Sequence, residues 1–194
     1  MNIGVLALQG SVEEHMKRLS QIKDVNACEI KTREQLNNIS GLIIPGGEST
    51  TIGKLLNEYL LIGPLVEKVK NGLPVWGTCA GMILMAKEIT NEKYVHLGIM
   101  DIAVRRNAYG SQLDSFSTKC IVPAVSTQEV PLVFIRAPWV ERVWGDAEPL
   151  VTIGEKIVAV RQVNMIATSF HPELTKDLSF HRYFVNIVNG WNGK

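Results

Sequence analysis

The spacing of apolar positions divides the chain into two halves of different character. In the first half, short apolar runs alternate with helical patterns. Residues 3–8 (Ile-Gly-Val-Leu-Ala-Leu) form a continuous apolar run before Gly10, the pattern of a strand buried on both faces. Ser11 and Glu14 stand at capping-box spacing, so Ser11 is expected to cap a helix that carries Val12, Met16 and Leu19 on one face. A weaker strand is predicted over 25–30, and the polar stretch 32–40 fits a short helix and turn. Gly41-Leu42-Ile43-Ile44 reads as a strand stopped by Pro45-Gly46-Gly47. Helical patterns cover 55–59 and 64–69, a strand covers 73–77, and a helix covers 80–87. Strand–helix alternation of this kind predicts a parallel sheet covered on both faces.

The second half is β-rich, with short runs at 99–104, 116–122, 132–135, 150–153, 157–161 and 165–170 separated by glycine, proline or polar turns. A final helix over 177–188 would turn Phe180, Phe184 and Ile187 inward. The fold class expected is therefore α/β: a single domain over 1–194, with a mostly parallel central sheet, helices on both faces and added antiparallel strands. No internal repeat or low-complexity tract interrupts it.

Composition narrows the function more than the fold. With 194 residues, 46% hydrophobic and 20% charged, the chain is long enough for a real core and is not a disordered segment. Twenty Lys and Arg against nineteen Asp and Glu leave a net charge of +1, which gives no electrostatic footprint for nucleic acid or an anionic membrane. The uncharged stretch 71–86 is 16 residues, interrupted by Pro74 and glycines, and too short to span a bilayer. No basic region precedes the first apolar run, and Glu13 and Glu14 soon follow it, so no secretory signal is expected. Cys28, Cys79 and Cys120 are far apart and odd in number, which argues against a disulfide framework or a Cys-rich zinc site and for a cytoplasmic location. No HxH or HExxH spacing suggests a metal.

One of the three cysteines has a context that suggests chemistry. Gly77-Thr78-Cys79-Ala80-Gly81 lies between a strand signal and a helix signal, as a nucleophile elbow requires. The flanking glycines would allow close approach of strand and helix. The turn would present Cys79 at the carboxyl end of the sheet, where a helix N-terminus favours thiolate, and the N–H of Ala80 would be placed to donate to an oxyanion. The alternative is a small buried cysteine in a glycine-rich turn. Cys28 and Cys120 lack this context and read as structural.

A thiol nucleophile needs a base, and the base needs an orienting group. Ser169-Phe170-His171-Pro172-Glu173 ends the last strand. Pro172 biases His171 to an extended conformation, in which residues two apart project to one side and Glu173 can reach the imidazole. The alternative is a strand-end turn with an exposed His and Glu. His15 and His181 fall on predicted helices and read as surface or interface residues, and His96 as a loop residue.

Pro45-Gly46-Gly47-Glu48-Ser49-Thr50 follows a strand and opens a helix. Its glycines would permit positive φ and close approach to a ligand, with exposed N–H groups for an oxyanion or carboxylate. Read in isolation it is a strand–helix turn capped by Ser49 or Thr50. It lacks the Lys of a Walker A loop. Arg106 and Arg136 each follow an apolar run, where arginine either clamps a substrate carboxylate or joins an ordinary ion pair.

Together these segments, with Gly4-Val5-Leu6-Ala7-Leu8-Gln9-Gly10, Arg106-Asn107-Ala108-Tyr109-Gly110 and Ile135-Arg136-Ala137-Pro138, resemble the class I (triad) glutamine amidotransferases over essentially the whole chain. The similarity is greatest to the glutaminase subunits of pyridoxal 5′-phosphate synthase. The resemblance implies a flavodoxin-like fold and hydrolysis of L-glutamine to glutamate and ammonia. It implies Cys79 as nucleophile, His171 as general base and acid, and Glu173 as its orienting partner. The oxyanion donors would be Gly47 and Ala80, and glutamine would be bound by Gly47, Glu48, Ser49, Arg106, Ile135 and Arg136. Gln9 would lie near a partner interface linked to oxyanion-hole formation. The implied partner is a PdxS-type (β/α)₈-barrel synthase subunit that receives the ammonia, and no cofactor is implied. Arg105 stands where the family has an acidic residue, leaving its ion-pair partner open. Two alternatives share much of this pattern: the glutaminase of another amidotransferase, such as imidazole glycerol phosphate synthase, or a non-catalytic redox or chaperone protein of similar fold.

Overall fold

The computed structural model describes residues 1–90, 92–106 and 115–191. The first half runs β1 (Asn2–Leu6), α1 (Val12–Leu19), β2 (Asn26–Ile30), α2 (Arg33–Leu36), β3 (Gly41–Ile44), α3 (Ser49–Glu58), α4 (Ile62–Lys70), β4 (Val75–Thr78) and α5 (Ala80–Met85). The second runs β5 (Ala86–Ile89), β6 (Met100–Arg105), β7 (Ser115–Val122), β8 (Ser126–Ile135), β9 (Trp139–Val143), β10 (Ala147–Ile153), β11 (Lys156–Gln162), β12 (Met165–Thr168), a 3-10 turn (Pro172–Leu174) and α6 (Ser179–Gly190). Ten strands form one sheet in the order β2-β1-β3-β4-β12-β11-β9-β6-β5, with β10 also on β11, while β7 and β8 make a separate two-stranded ribbon. The strands β2, β1, β3, β4 and β12 are parallel, and β11, β10 and β9 add the antiparallel part.

Alternation along the central strands fills both faces. Leu42, Ile44 and Val75 point to the side covered by α3, α4 and α5, where Ile52, Leu56, Leu65 and Met82 are buried. Ile43 and Trp76 point to the other, packed by Leu19 of α1, Phe180 and Phe184 of α6, and Phe134 of the ribbon. A sheet covered on both faces explains why its strands read as unbroken apolar runs. No helix among the described residues is long and apolar enough to cross a membrane.

Four expectations need correction. The helical pattern at 80–87 breaks at Met85, because Ala86 is extended and starts β5. An apolar run of that length fits either period. Strand β9 was not expected; Glu141 and Arg142 interrupt its apolar pattern, and each is paired across the sheet, with Arg105 and Glu88. Ser11 precedes α1 without capping it, since its side chain makes no cap hydrogen bond. Finally, His15 and His181 are fully buried and lie against each other, not on the surface.

Candidate active site

The chain reverses from β4 into α5 at Cys79, whose φ of +48° and ψ of −100° lie in a region that side-chain-bearing residues rarely occupy. Neighbouring structure holds it there. The Cys79 N–H donates to the Thr168 carbonyl on β12 at 2.7 Å, and the Cys79 carbonyl accepts from the Met82 N–H at 3.1 Å. The flanking glycines are sterically required. A Cβ on Gly77 would sit 2.6 Å from the Gly81 carbonyl carbon and oxygen, and one on Gly81 would sit 2.1 Å from the Ile44 carbonyl oxygen. Those are backbone atoms with little room to yield. Cys79 is 8% exposed, with Sγ 3.9 Å from the Ile135 carbonyl oxygen.

Parallel pairing brings the histidine alongside. Thr168 of β12 is in register with Thr78 of β4, so the chain leaving β12 emerges beside the elbow. The His171 N–H donates to the Val133 carbonyl of the ribbon at 2.8 Å. The backbone of His171 is non-helical, with φ −110° and ψ 82°, but Pro172 opens a 3-10 turn. Glu173 therefore reaches the imidazole from a turn, not along an extended strand. His171 Nδ1 and Glu173 Oε1 are 2.7 Å apart. Gly46 packs between the two sides of the site: a Cβ there would lie 2.5 Å from His171 Cε1 and 3.4 Å from the Cys79 Cβ.

The charge state follows from these contacts. Burial alone would raise the Glu173 carboxyl, which is 1% exposed. It is overcome by His15, by the His171 hydrogen bond and by the Ser11 hydroxyl, which donates to Oε1 at 2.7 Å, and the carboxyl stands at about 2. Burial alone would lower His171, but hydrogen bonds with Cys79 and Glu173 outweigh it and its pKa stands at about 10. At neutral pH the ring is thus protonated, donating Nδ1–H to a carboxylate behind it.

The glycine loop closes one wall. Neither Gly46 nor Gly47 uses the positive φ that glycine permits. Close approach is what requires them, since a Cβ on Gly47 would meet Gln9 Oε1 at 2.5 Å and Gly10 Cα at 3.0 Å. Gly46 donates its N–H to Thr78 Oγ1 at 2.9 Å, and its carbonyl accepts the Ser11 N–H at 3.0 Å. Glu48, not Ser49 or Thr50, occupies the N-cap of α3, and its N–H donates to Gln9 Oε1 at 2.8 Å. At the rim, Arg106 is held by Glu92 at 2.8 Å and Glu48 at 3.3 Å. Arg136 has φ +44°, a second strained position that directs the chain at the end of β8. Arg105 finds its partner in Glu141 of β9. The motif residues Asn107 to Gly110 lie outside the described residues.

Gln9, Gly47, Glu48, Ser49, Cys79, Ala80, Arg106, Ile135, Arg136 and His171 all line one open cavity of about 380 Å³, and Glu173 backs His171 from behind. The sequence reading missed four residues that shape this site: Gly46 between thiol and imidazole, Ser11 and His15 on Glu173, and Thr78 under the glycine loop. Only Ser11 and Gly46 carried a signal, and both were assigned other work. A larger cavity of about 710 Å³, lined by Arg33, Lys68, Asn71 and Trp191 among others, contains none of these groups. Cys28 and Cys120 are free thiols outside the site, and burial pushes both upward, as inert thiols are.

A cysteine on a strained strand–helix turn, opposite an imidazole backed by a buried carboxylate, is the arrangement of a thiol hydrolase on an α/β sheet. Comparison with known proteins makes the class specific. The SNO glutamine amidotransferase family matches residues 5–189, and the chain belongs to that family. A pyridoxal 5′-phosphate synthase subunit PdxT from Ruminiclostridium cellulolyticum is 56% identical over 186 residues, covering 96% of this chain and 98% of that protein. A protein of the same name from Thermoanaerobacter sp. is 55% identical, covering 96% and 99%. Among solved structures, a glutamine amidotransferase superposes with a TM-score of 0.91 at 42% identity, covering 96% of this chain and 98% of that one.

Proposed function

We propose that this chain is the glutaminase subunit of a pyridoxal 5′-phosphate synthase, acting as one domain in the cytoplasm. It hydrolyses L-glutamine and passes ammonia to a PdxS-type synthase subunit. The observation that carries the chemistry is the His171–Glu173 pair at 2.7 Å beside a cysteine held at φ +48°. The observation that carries the biological setting is the 56% identity to a PdxT protein.

In the proposed reaction Cys79 Sγ attacks the side-chain carbonyl carbon of glutamine. The sulfur's proton resides on His171, which delivers it to the amide nitrogen as the carbon–nitrogen bond breaks and ammonia leaves. The N–H groups of Ala80 and Gly47 receive the developing oxyanion. Water then attacks the γ-glutamyl thioester with His171 as base; the carbon–sulfur bond breaks, and glutamate leaves as the thiol regains a proton. Glu173 holds the ring in one orientation and stabilises its charge. Glu48, Ser49, Arg106, Ile135 and Arg136 hold the amino-acid end of glutamine. Gln9 Oε1 accepts the Glu48 N–H at 2.8 Å, so a synthase subunit docking near Gln9 would act on the glycine loop and is expected to raise the activity.

The test is to mix the chain with a PdxS-type synthase subunit, supply pentose and triose phosphates, and follow glutamine-dependent pyridoxal phosphate. Co-purification and glutamate release with this partner, but not with the synthase subunit of imidazole glycerol phosphate synthase, are expected. Pyridoxal phosphate formation that ignores glutamine, or equal activation by the second synthase, would overturn the assignment.

A further inference from the structure

Behind the triad lies a second polar group that the mechanism above does not use. His15 of α1 and His181 of α6 are both 0% exposed, with His15 Nδ1 3.1 Å from His181 Nε2. The other nitrogen of His15, Nε2, stands 3.2 Å from Thr78 Oγ1 and 3.5 Å from Glu173 Oε2. Trp76 fixes both rings edge-on, with centroids 5.7 Å from His15 and 5.0 Å from His181. Two imidazoles in a place that aliphatic residues could fill are expensive to desolvate, so their retention calls for a use.

The carboxylate decides which nitrogen carries the proton. Glu173 Oε1 is already shared by His171 and Ser11, whereas Oε2 has no hydrogen bond within normal distance. Thr78 Oγ1 accepts the Gly46 N–H. With its proton on Nε2, His15 presents a donor to both Thr78 and Oε2, and its Nδ1 accepts from His181 Nε2–H. The opposite tautomer would turn a lone pair on a carboxylate. The chosen one leaves His181 Nδ1 as a bare acceptor, in agreement with its lack of any partner, and a bare acceptor is tolerated better than a bare donor. Burial also lowers the pKa of both rings, which keeps this pair uncharged.

We infer that His15 is a positioning residue for the glutaminase reaction: its Nε2–H lies 3.2 Å from Thr78 Oγ1 and faces the second oxygen of Glu173 at 3.5 Å, an electrostatic contact longer than a hydrogen bond, and through Thr78 it joins the carboxylate to the glycine loop that carries Gly46. His181 orients His15 from behind. This inference rests on the proposed glutaminase function. It assigns His15 no contact with substrate. Its effect reaches the reaction through the plane of the Glu173 carboxylate and hence the direction of the His171 ring.

His15→Gln places an amide nitrogen where Nε2 stands, whereas His15→Asn supplies one only at the Nδ1 side. Both are assembled with the synthase subunit. Asn is expected to lower kcat about tenfold with KM for glutamine unchanged, while Gln stays within about threefold of wild type. The downfield proton resonance of His171 Nδ1–H should persist in Gln and shift upfield or broaden in Asn. Wild-type kcat in the Asn variant, or equal losses in both with an unmoved resonance, overturns the proposal. Nitrogen-15 spectra of the wild-type chain supply a test that needs no variant: His15 protonated at Nε2 is the expected result, and protonation at Nδ1 alone contradicts it. If wild type assembled with the synthase releases no glutamate, the glutaminase function fails, while the spectra still decide the tautomer.

Discussion

Replacing Gly46 with alanine should disable the site without adding any charge or removing any polar group. The glycine has an ordinary backbone conformation, so alanine incurs no φ penalty there. Its Cβ would stand 2.5 Å from His171 Cε1 and 3.0 Å from His171 Nδ1. Carbon atoms pack at about 3.5–4.0 Å, so the ring must retreat by about 1 Å. The His171–Glu173 hydrogen bond, now 2.7 Å, would then stretch or tilt beyond useful geometry. A displacement of about 1 Å at a reacting group costs on the order of 10²-fold in rate. Steady-state glutamate release by the chain assembled with its synthase subunit measures this, and thermal unfolding monitors the fold, for which overpacking is expected to cost about 1–3 kcal/mol. Gly63→Ala is the control, because nothing lies within 4 Å of its Cβ position. A Gly46→Ala variant with kcat within about threefold of wild type would refute the claim that this glycine sets the thiol–imidazole geometry.

Three further outcomes are expected. Ser11→Ala should lower kcat about tenfold while leaving α1 intact, because the hydroxyl serves Glu173 and not the helix; kinetics and far-ultraviolet circular dichroism separate the two. Cys79→Ala should abolish glutamate release, and Cys79→Gly should unfold at a higher temperature than Cys79→Ala by relieving a strained φ that stores about 1–3 kcal/mol. Glu173 has its pKa lowered from 4.5 to about 2, so its contribution to stability is present above 4.5 and is lost as pH falls through about 2. Denaturant titrations over that interval should slope more steeply for wild type than for Glu173→Gln. His171 has the opposite sign: raised from 6.5 to about 10, it stabilises fully below 6.5 and loses its contribution as pH rises through 10.

The parts of the site that were legible in the sequence are those whose physics is local. Gly77 and Gly81 flank Cys79 because a Cβ on Gly77 would strike the Gly81 carbonyl and one on Gly81 would strike the Ile44 carbonyl of the neighbouring β3, and a strand–helix reversal this tight is written as a short motif. Pro172 between His171 and Glu173 marked a fixed geometry, although the geometry is a turn. The central strands were legible because both faces are buried. What escaped depends on distant partners. Ser11 meets Glu173 across 162 positions and His15 meets His181 across 166, and no local pattern distinguishes such residues from a cap or a surface histidine. The capping-box spacing at Ser11 and Glu14 suggested a local use for a hydroxyl committed to the far end of the chain. Strand β9 was hidden for a similar reason, since Glu141 and Arg142 are balanced by charges on other strands.

The most direct test of the central claim is intact-protein mass spectrometry of the assembled enzyme, quenched with acid during glutamine turnover. Catalysis through Cys79 requires a γ-glutamyl adduct carried on that residue, absent from Cys79→Ala and accumulating when the second half-reaction is slowed. Glutamine turnover by Cys79→Ala, or an adduct on any other residue, would contradict it.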